Sequence, residues 1–237
     1  MSGIFITGTD TGVGKTFVGC GLVAALRARG KSVGVMKPAE TGCEERDGRL
    51  HADDASRLLR FSGADLSPEL VCPYRFAEPL APAAAARRAG VRIEKAKIIE
   101  CYRRIAPRHD VTVVEGAGGL MVPLADGYTF ADLARDLALP LLVVVGSKLG
   151  AINHTLLTLH CAKSLGLPLL GYVLNQTARE PDLATRTNGE VLSRHTDTPC
   201  LGSLPFWDHR AAGNEREEVA AMAAFFAGAV DLAPLAG

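Results

Sequence analysis

The chain has 237 residues, 48% of them hydrophobic and 5% aromatic, enough for one large α/β domain or two small ones with an apolar sheet buried on both sides. Its 26 basic and 26 acidic residues cancel, so neither nucleic acid nor an anionic membrane is an expected partner. No apolar run reaches the ~18 residues of a membrane span, the chain enters a predicted strand almost at once, without room for a secretory leader, and six scattered cysteines show no metal-ligand spacing; a cytoplasmic protein with reduced thiols is expected.

The first predicted strand, Ile4-Phe5-Ile6, runs into Thr7-Gly8-Thr9-Asp10-Thr11-Gly12-Val13-Gly14-Lys15-Thr16. Strand, glycine-rich loop and helix in that order make a phosphate-binding loop. Glycines 8, 12 and 14 let successive backbone N–H groups turn toward an anion, Lys15 adds a point charge, and the Thr16 hydroxyl is placed to ligate Mg²⁺. The loop is a variant, since G-x-x-x-x-G-K-[ST] requires glycine where Thr9 stands. The helix that follows offers unpaired amides and its positive end to the same anion.

That helix is predicted from Lys15 to about Arg29, with Val18, Leu22, Val23 and Leu26 on one face and Gly30 as its stop. A second strand, Ser32 to Met36, ends in Lys37-Pro38. Open parallel sheets bind ligands at strand C-terminal ends, which suits Lys37 for a site, although a surface lysine before a turn fits the local sequence too. Residues 39–53 read as a polar active-site loop leading to a helix start at His51-Ala52-Asp53-Asp54, where the two aspartates suit N-capping. Leu70 to Arg92 reads as irregular up to a small-residue helix at 82–89, and another helix covers about 94–106.

The apolar strand Val111-Thr112-Val113-Val114 ends in Glu115-Gly116-Ala117-Gly118-Gly119. An acid at the end of a central strand beside a phosphate loop completes a Mg²⁺ shell, directly or through water, and the glycines leave room for substrate. A helix at 129–137 precedes the strand Leu141 to Val145, the loop Gly146-Ser147-Lys148-Leu149 and a helix from about Gly150 to Leu165. The amides of Gly150, Ala151, Ile152 and Asn153 at that helix start are expected to be open to an anion. Leu169 to Leu174 is a strand ending in Asn175, Pro199 to Leu204 a short one ending at Pro205, and the last helix lies near 215–228. Strands alternating with helices throughout predict a single doubly wound, mostly parallel sheet with helices on both faces, occupying residues 1–237 as one domain. Asn175-Gln176-Thr177-Ala178 lacks the aspartate that reads guanine, and a lone Asn amide matches the N6/N7 edge of adenine, which favours ATP.

Taken together, Thr7 to Thr16, Lys37-Pro38, Asp54, Glu115 to Gly119, Lys148 to His154 and Asn175 occur in the order and context of dethiobiotin synthetases, and the chain resembles that family over about residues 4–207. The resemblance implies a cytoplasmic, Mg²⁺-dependent homodimer that makes dethiobiotin from 7,8-diaminopelargonic acid, CO₂ and ATP through a carbamate and its phosphoric anhydride. It implies catalytic roles for Thr11, Lys15 and Lys37, and ATP binding by Gly12, Val13, Gly14, Lys15, Thr16, Asn175 and Pro205. Mg²⁺ would be held by Thr16, Asp54 and Glu115, and substrate bound by Thr41, Gly118, Leu149, Gly150, Ala151 and Asn153, the helix-start segment coming from the partner subunit. Relatives often carry Ser and His where Ala81 and Ala83 stand, so contacts from those side chains are missing here.

Two other readings remain. Amide-forming synthetases of the same superfamily add a glutamine-hydrolysing domain, for which this chain is expected to be too short. Partition and septum-site ATPases carry an extra lysine early in the loop, where Thr9 and Asp10 stand, and their membrane-binding members end in a basic amphipathic helix. Glu215, Glu217 and Glu218 make the last helix here acidic at its start.

Overall fold

The computed structural model describes residues 3–208 and 214–235. Its central sheet contains β1 (Gly3–Gly8), β2 (Val33–Met36), β7 (Val111–Gly119), β10 (Leu141–Gly146), β11 (Leu169–Asn175) and β12 (Cys200–Leu204), in the spatial order β12-β11-β10-β1-β7-β2. All five pairings are parallel, as predicted from strands that alternate with helices. Parallel strands need crossovers, and these are α1 (Lys15–Ala28), α2 (Asp53–Ser62), α5 (Lys95–Ile105), α6 (Phe130–Asp136), α7 (Ala151–Ser164) and α8 (Leu183–His195), with α9 (Glu215–Ala229) closing the described chain.

Period-two alternation along β10 explains why both faces are covered. Val143 and Val145 belong to a cluster with Leu159 of α7 and Leu192 of α8, whereas Leu142 and Val144 belong to the main core with Val18 and Leu22 of α1 and Phe226 of α9. Gly21 of α1 marks how closely α1 and α9 approach, since a Cβ there would lie 2.4 Å from the Phe226 ring. In the same region Trp207 packs edge-on against Phe225, with centroids 4.5 Å apart, tying the segment after β12 to α9.

The structure adds elements that local patterns did not predict. Residues 39–53 hold β3 (Glu40–Thr41) and the hairpin of β4 (Glu44–Arg46) and β5 (Arg49–His51). The stretch read as irregular contains the end of α3 (Pro68–Val71) and β6 (Arg75–Phe76), which pairs with β3, ahead of α4 (Pro82–Arg88). A further hairpin, β8 (Pro123–Ala125) with β9 (Tyr128–Thr129), follows β7. Helix α8 was also missed, because Asn188 and Gly189 interrupt any apolar stripe. It is set instead by Asp182, whose carboxylate caps the Thr185 N–H at 2.6 Å, and by buried Asn188, which donates to Ser147 Oγ at 3.2 Å and the Lys148 carbonyl at 3.1 Å.

β7 does not stop before Glu115. It continues to Gly119, with Glu115 opposite Ile6 and Gly119 opposite Gly8 across a register shift. Gly116 permits this, because a Cβ there would already sit 3.3 Å from the Phe5 ring and 3.4 Å from that of Phe130.

Candidate active site

Sheet order decides which residues meet. β1 carries the phosphate loop at its C-terminal end, flanked by β7 with Glu115 and, one strand further, β2 with Lys37. The loop turns through Gly12 at φ 73° and Gly14 at φ 87°, a left-handed conformation that side-chain-bearing residues rarely adopt. Gly14 is fixed a second way. A Cβ would lie 2.2 Å from Asn175 Nδ2, which donates to the Val13 carbonyl at 2.9 Å and so clamps the loop from β11. Asn175 is buried with its Oδ1 unpartnered, so the residue expected to read a base also braces the phosphate loop.

Lys15 folds back so that Nζ donates to the Asp10 carbonyl at 3.0 Å, and Thr16 Oγ1 donates to Glu115 Oε1 at 2.8 Å. Lys37 lies 2.6 Å from Asp54 Oδ2 and 2.6 Å from Glu115 Oε1, its side chain 5% exposed. Glu115 is fully buried, its second oxygen unpartnered, while Asp54 is 43% exposed toward the cavity. Burial opposes the charge on Lys37, but Glu115 and then Asp54 outweigh it and hold the ammonium above the usual lysine range. Burial likewise opposes the Asp54 carboxylate, and Lys37 overcomes it, keeping the carboxyl below its usual range. Lys15 has no such pair: burial brings it down to about 8, with Glu115 working against the shift and Lys37 for it.

Thr11, Gly12, Gly14, Lys15, Thr16, Lys37, Thr41, Asp54, Glu115 and Gly118 all line one cavity of about 720 Å³, walled opposite by Pro79, Leu80, Ala81 and Pro82. Val13 is buried beneath it. Leu149, Gly150, Ala151, Asn153, Asn175 and Pro205 do not line it. Ala83 faces a different groove, beside Arg87 and Lys95. At the start of α7, the Ala151 N–H is taken by the Lys148 carbonyl at 3.1 Å, contrary to expectation, which leaves the amides of Gly150, Ile152 and Asn153 without an acceptor among the described residues. Among the described residues no cluster of three or more His, Cys, Asp or Glu side chains is arranged to hold a metal; the expected oxygen set has two carboxylates and one hydroxyl.

Sequence comparison decides the family. A family model described as an AAA domain matches residues 2–212. The ATP-dependent dethiobiotin synthetase BioD of Anaeromyxobacter dehalogenans (strain 2CP-C) is 47% identical over 216 residues, spanning 91% of this chain and 95% of that protein. The chain belongs to the dethiobiotin synthetase family. The synthetase of Bacillus velezensis (strain DSM 23117 / BGSC 10A6 / LMG 26770 / FZB42) is 40% identical over 90% of this chain and 91% of its own length. The cell division ATPase MinD of Pyrococcus furiosus shares the fold at a TM-score of 0.51, covering 96% of this chain and 99% of that one, with only 16% identity. That likeness shows the fold alone, a parallel sheet with helices on both faces. The six cysteines carry no disulfide, and among the described residues no helix is long and apolar enough to cross a membrane.

Sequence reasoning missed Glu40. The two aspartates at the start of α2 do not cap it; its N-cap is Ala52, which has no polar side chain. Buried Glu40 reaches across from β3, accepting from the Asp54 N–H at 2.9 Å and the Ala55 N–H at 3.0 Å. The carboxylate is thus a cap supplied from outside the helix, against the positive end of its dipole, and it fixes the backbone that carries Asp54. Glu40→Ala leaves those two amides unpaired and should destabilise the protein by about 1–3 kcal/mol. Denaturant unfolding measures this directly; a midpoint equal to the parent's would show that Glu40 does not anchor α2.

Proposed function

We propose that the chain forms the ureido ring of dethiobiotin from 7,8-diaminopelargonic acid, CO₂ and ATP, as one cytoplasmic P-loop domain. The observation that carries this reading is the buried Lys37 ammonium, set between two carboxylates in the same cavity as the phosphate loop. In the first step an amine of the substrate adds to CO₂ and loses a proton, giving a carbamate. A carbamate oxygen then attacks the γ-phosphorus of ATP, and the bond to ADP breaks. The second amine attacks the carbamoyl carbon, the C–O bond to phosphate breaks, and the ring closes with loss of a proton.

This chemistry asks for positioning and charge neutralisation rather than a protein nucleophile. Lys37 suits it as a fixed cation: its raised pKa keeps it protonated, so it stabilises the carbamate and mixed anhydride and is no base. Lys15 and the amides of Gly12, Val13 and Gly14 hold the phosphates. The Thr11 and Thr41 hydroxyls border the same space, Gly118 leaves it open, and the wall of Pro79 to Pro82 suits the substrate's methylene chain. The hard oxygens of Thr16, Asp54 and Glu115 converge and fit Mg²⁺, which when bound neutralises charge on the phosphoryl oxygens. Asn175 suits adenine near Pro205: its buried Oδ1 still needs a donor, which the adenine 6-amino group supplies and the guanine 6-oxo group does not.

The substrate's carboxylate lies a full aliphatic chain away from its amines. Leu149, Gly150, Ala151 and Asn153 begin α7 outside the cavity, on a surface where two leucines lie open, Leu149 84% and Leu157 60% exposed. A second copy of the chain covering that surface would bring the free amides of one subunit to the cavity of the other, giving a homodimer with two shared sites.

Product assays with both lysine variants test the chemistry. Lys15→Ala should raise the Kd for ATP about tenfold or more, whereas Lys37→Ala should bind ATP measurably and form no dethiobiotin. Normal turnover by Lys37→Ala would remove it from the reaction. The shared site predicts complementation: Lys37→Ala subunits mixed with subunits disrupted at Asn153 should regain one working site per heterodimer. Silence after proven subunit exchange would place each whole site within one chain.

A further inference from the structure

The cavity is lined by six charged side chains: Lys15, Lys37, Glu40, Asp54, Arg57 and Glu115. Five of them are engaged. Lys15 holds the Asp10 carbonyl, Glu40 takes two α2 amides, and Lys37 joins Asp54 to Glu115. Arg57, half-buried on α2, makes no hydrogen bond or ion pair among the described residues. Holding an arginine in a cavity costs desolvation and rotamer entropy, and among the described residues no protein group offsets it. A five-donor planar cation left free in a ligand cavity is matched to an anion that is not part of the protein.

Position says which anion. Arg57 follows Asp54 by three residues, so the two share a face of α2 within one helical turn. The next residue, Leu58, packs against α1, where a Cβ on Gly19 would lie 3.0 Å from it. Arg57 therefore lines the cavity from the same stretch of α2 as Asp54, which joins the Lys37 cluster there.

We propose that Arg57 is a further phosphate-contacting residue, reaching from α2 to the terminal phosphoryl group of bound ATP and staying with it during transfer. The inference rests on the ATP-dependent reading of the cavity. The guanidinium fork can donate two parallel hydrogen bonds to phosphoryl oxygens, and an arginine supplied within the same chain stabilises charge that builds up as the group moves.

Calorimetry with ADP and with a non-hydrolysable ATP analogue, in the presence of Mg²⁺ and without diaminopelargonate, separates the terminal phosphate from the rest of the nucleotide. Arg57→Ala should leave ADP affinity nearly unchanged and weaken the analogue about tenfold, with Arg57→Lys in between. In turnover the alanine variant should lose about a hundredfold in kcat with the KM for diaminopelargonate unchanged, and added guanidinium should restore part of the rate. Equal losses for ADP and the analogue, no loss for either, or a rise confined to the KM for diaminopelargonate would each overturn the assignment. A parent protein that binds neither nucleotide would instead overturn the ATP-dependent reading, and this inference with it.

Discussion

The site depends on one buried charge. Lys37 has almost no access to water, and an ammonium there is tolerable only because Asp54 and Glu115 each approach within 2.6 Å. Removing either carboxylate leaves Lys37 with one counter-charge, whereas removing the lysine leaves Glu115 fully buried without one. Lys37 follows β2, Asp54 opens α2 and Glu115 lies midway along β7, so the ion pairs also lock those elements in place around the phosphate loop. Glu115 does double duty through its Thr16 contact at 2.8 Å, which ties the first turn of α1 to the same cluster.

Around that cluster the fold supplies rigid supports. The six parallel strands bring β2, β7 and β1 side by side, so that the lysine, the glutamate and the phosphate loop emerge at one edge. From the other side β11 sends Asn175 under the loop, and Gly14 is the residue that makes room for it. From β3, Glu40 holds the start of α2 and with it Asp54. Charge is nearly balanced within the cavity. The Lys37 ammonium is neutralised by carboxylates, while Lys15 at about 8 and unpaired Arg57 are the cations left to meet phosphate.

What the sequence disclosed follows from how local each cause is. The phosphate loop was legible because its glycines, lysine and threonine work through backbone geometry within ten residues, and Lys37 and Glu115 because each directly follows an apolar strand run, although β7 itself continues past Glu115. Glu40 was not, since it caps a helix from 14 residues away and its own surroundings read as a polar loop. Asp54 was found, but for its oxygen ligand character rather than for the amide that holds it. The amides of α7 were only partly right, because the Lys148 carbonyl that claims Ala151 depends on how the loop closes. Arg57 had no signal at all: one arginine on an amphipathic helix is ordinary until it is found lining the cavity with no partner among the described residues.

In the proposed reaction this cavity moves the γ-phosphoryl group of ATP onto a carbamate oxygen. A single turnover with ¹⁸O-labelled CO₂, unlabelled ATP and diaminopelargonate, read by mass spectrometry of both products, tests it directly. Transfer to the carbamate predicts one ¹⁸O in the released phosphate and one in the ureido carbonyl of dethiobiotin. Unlabelled phosphate would mean that water, not a carbamate, receives the phosphoryl group, and would rule out transfer to the carbamate.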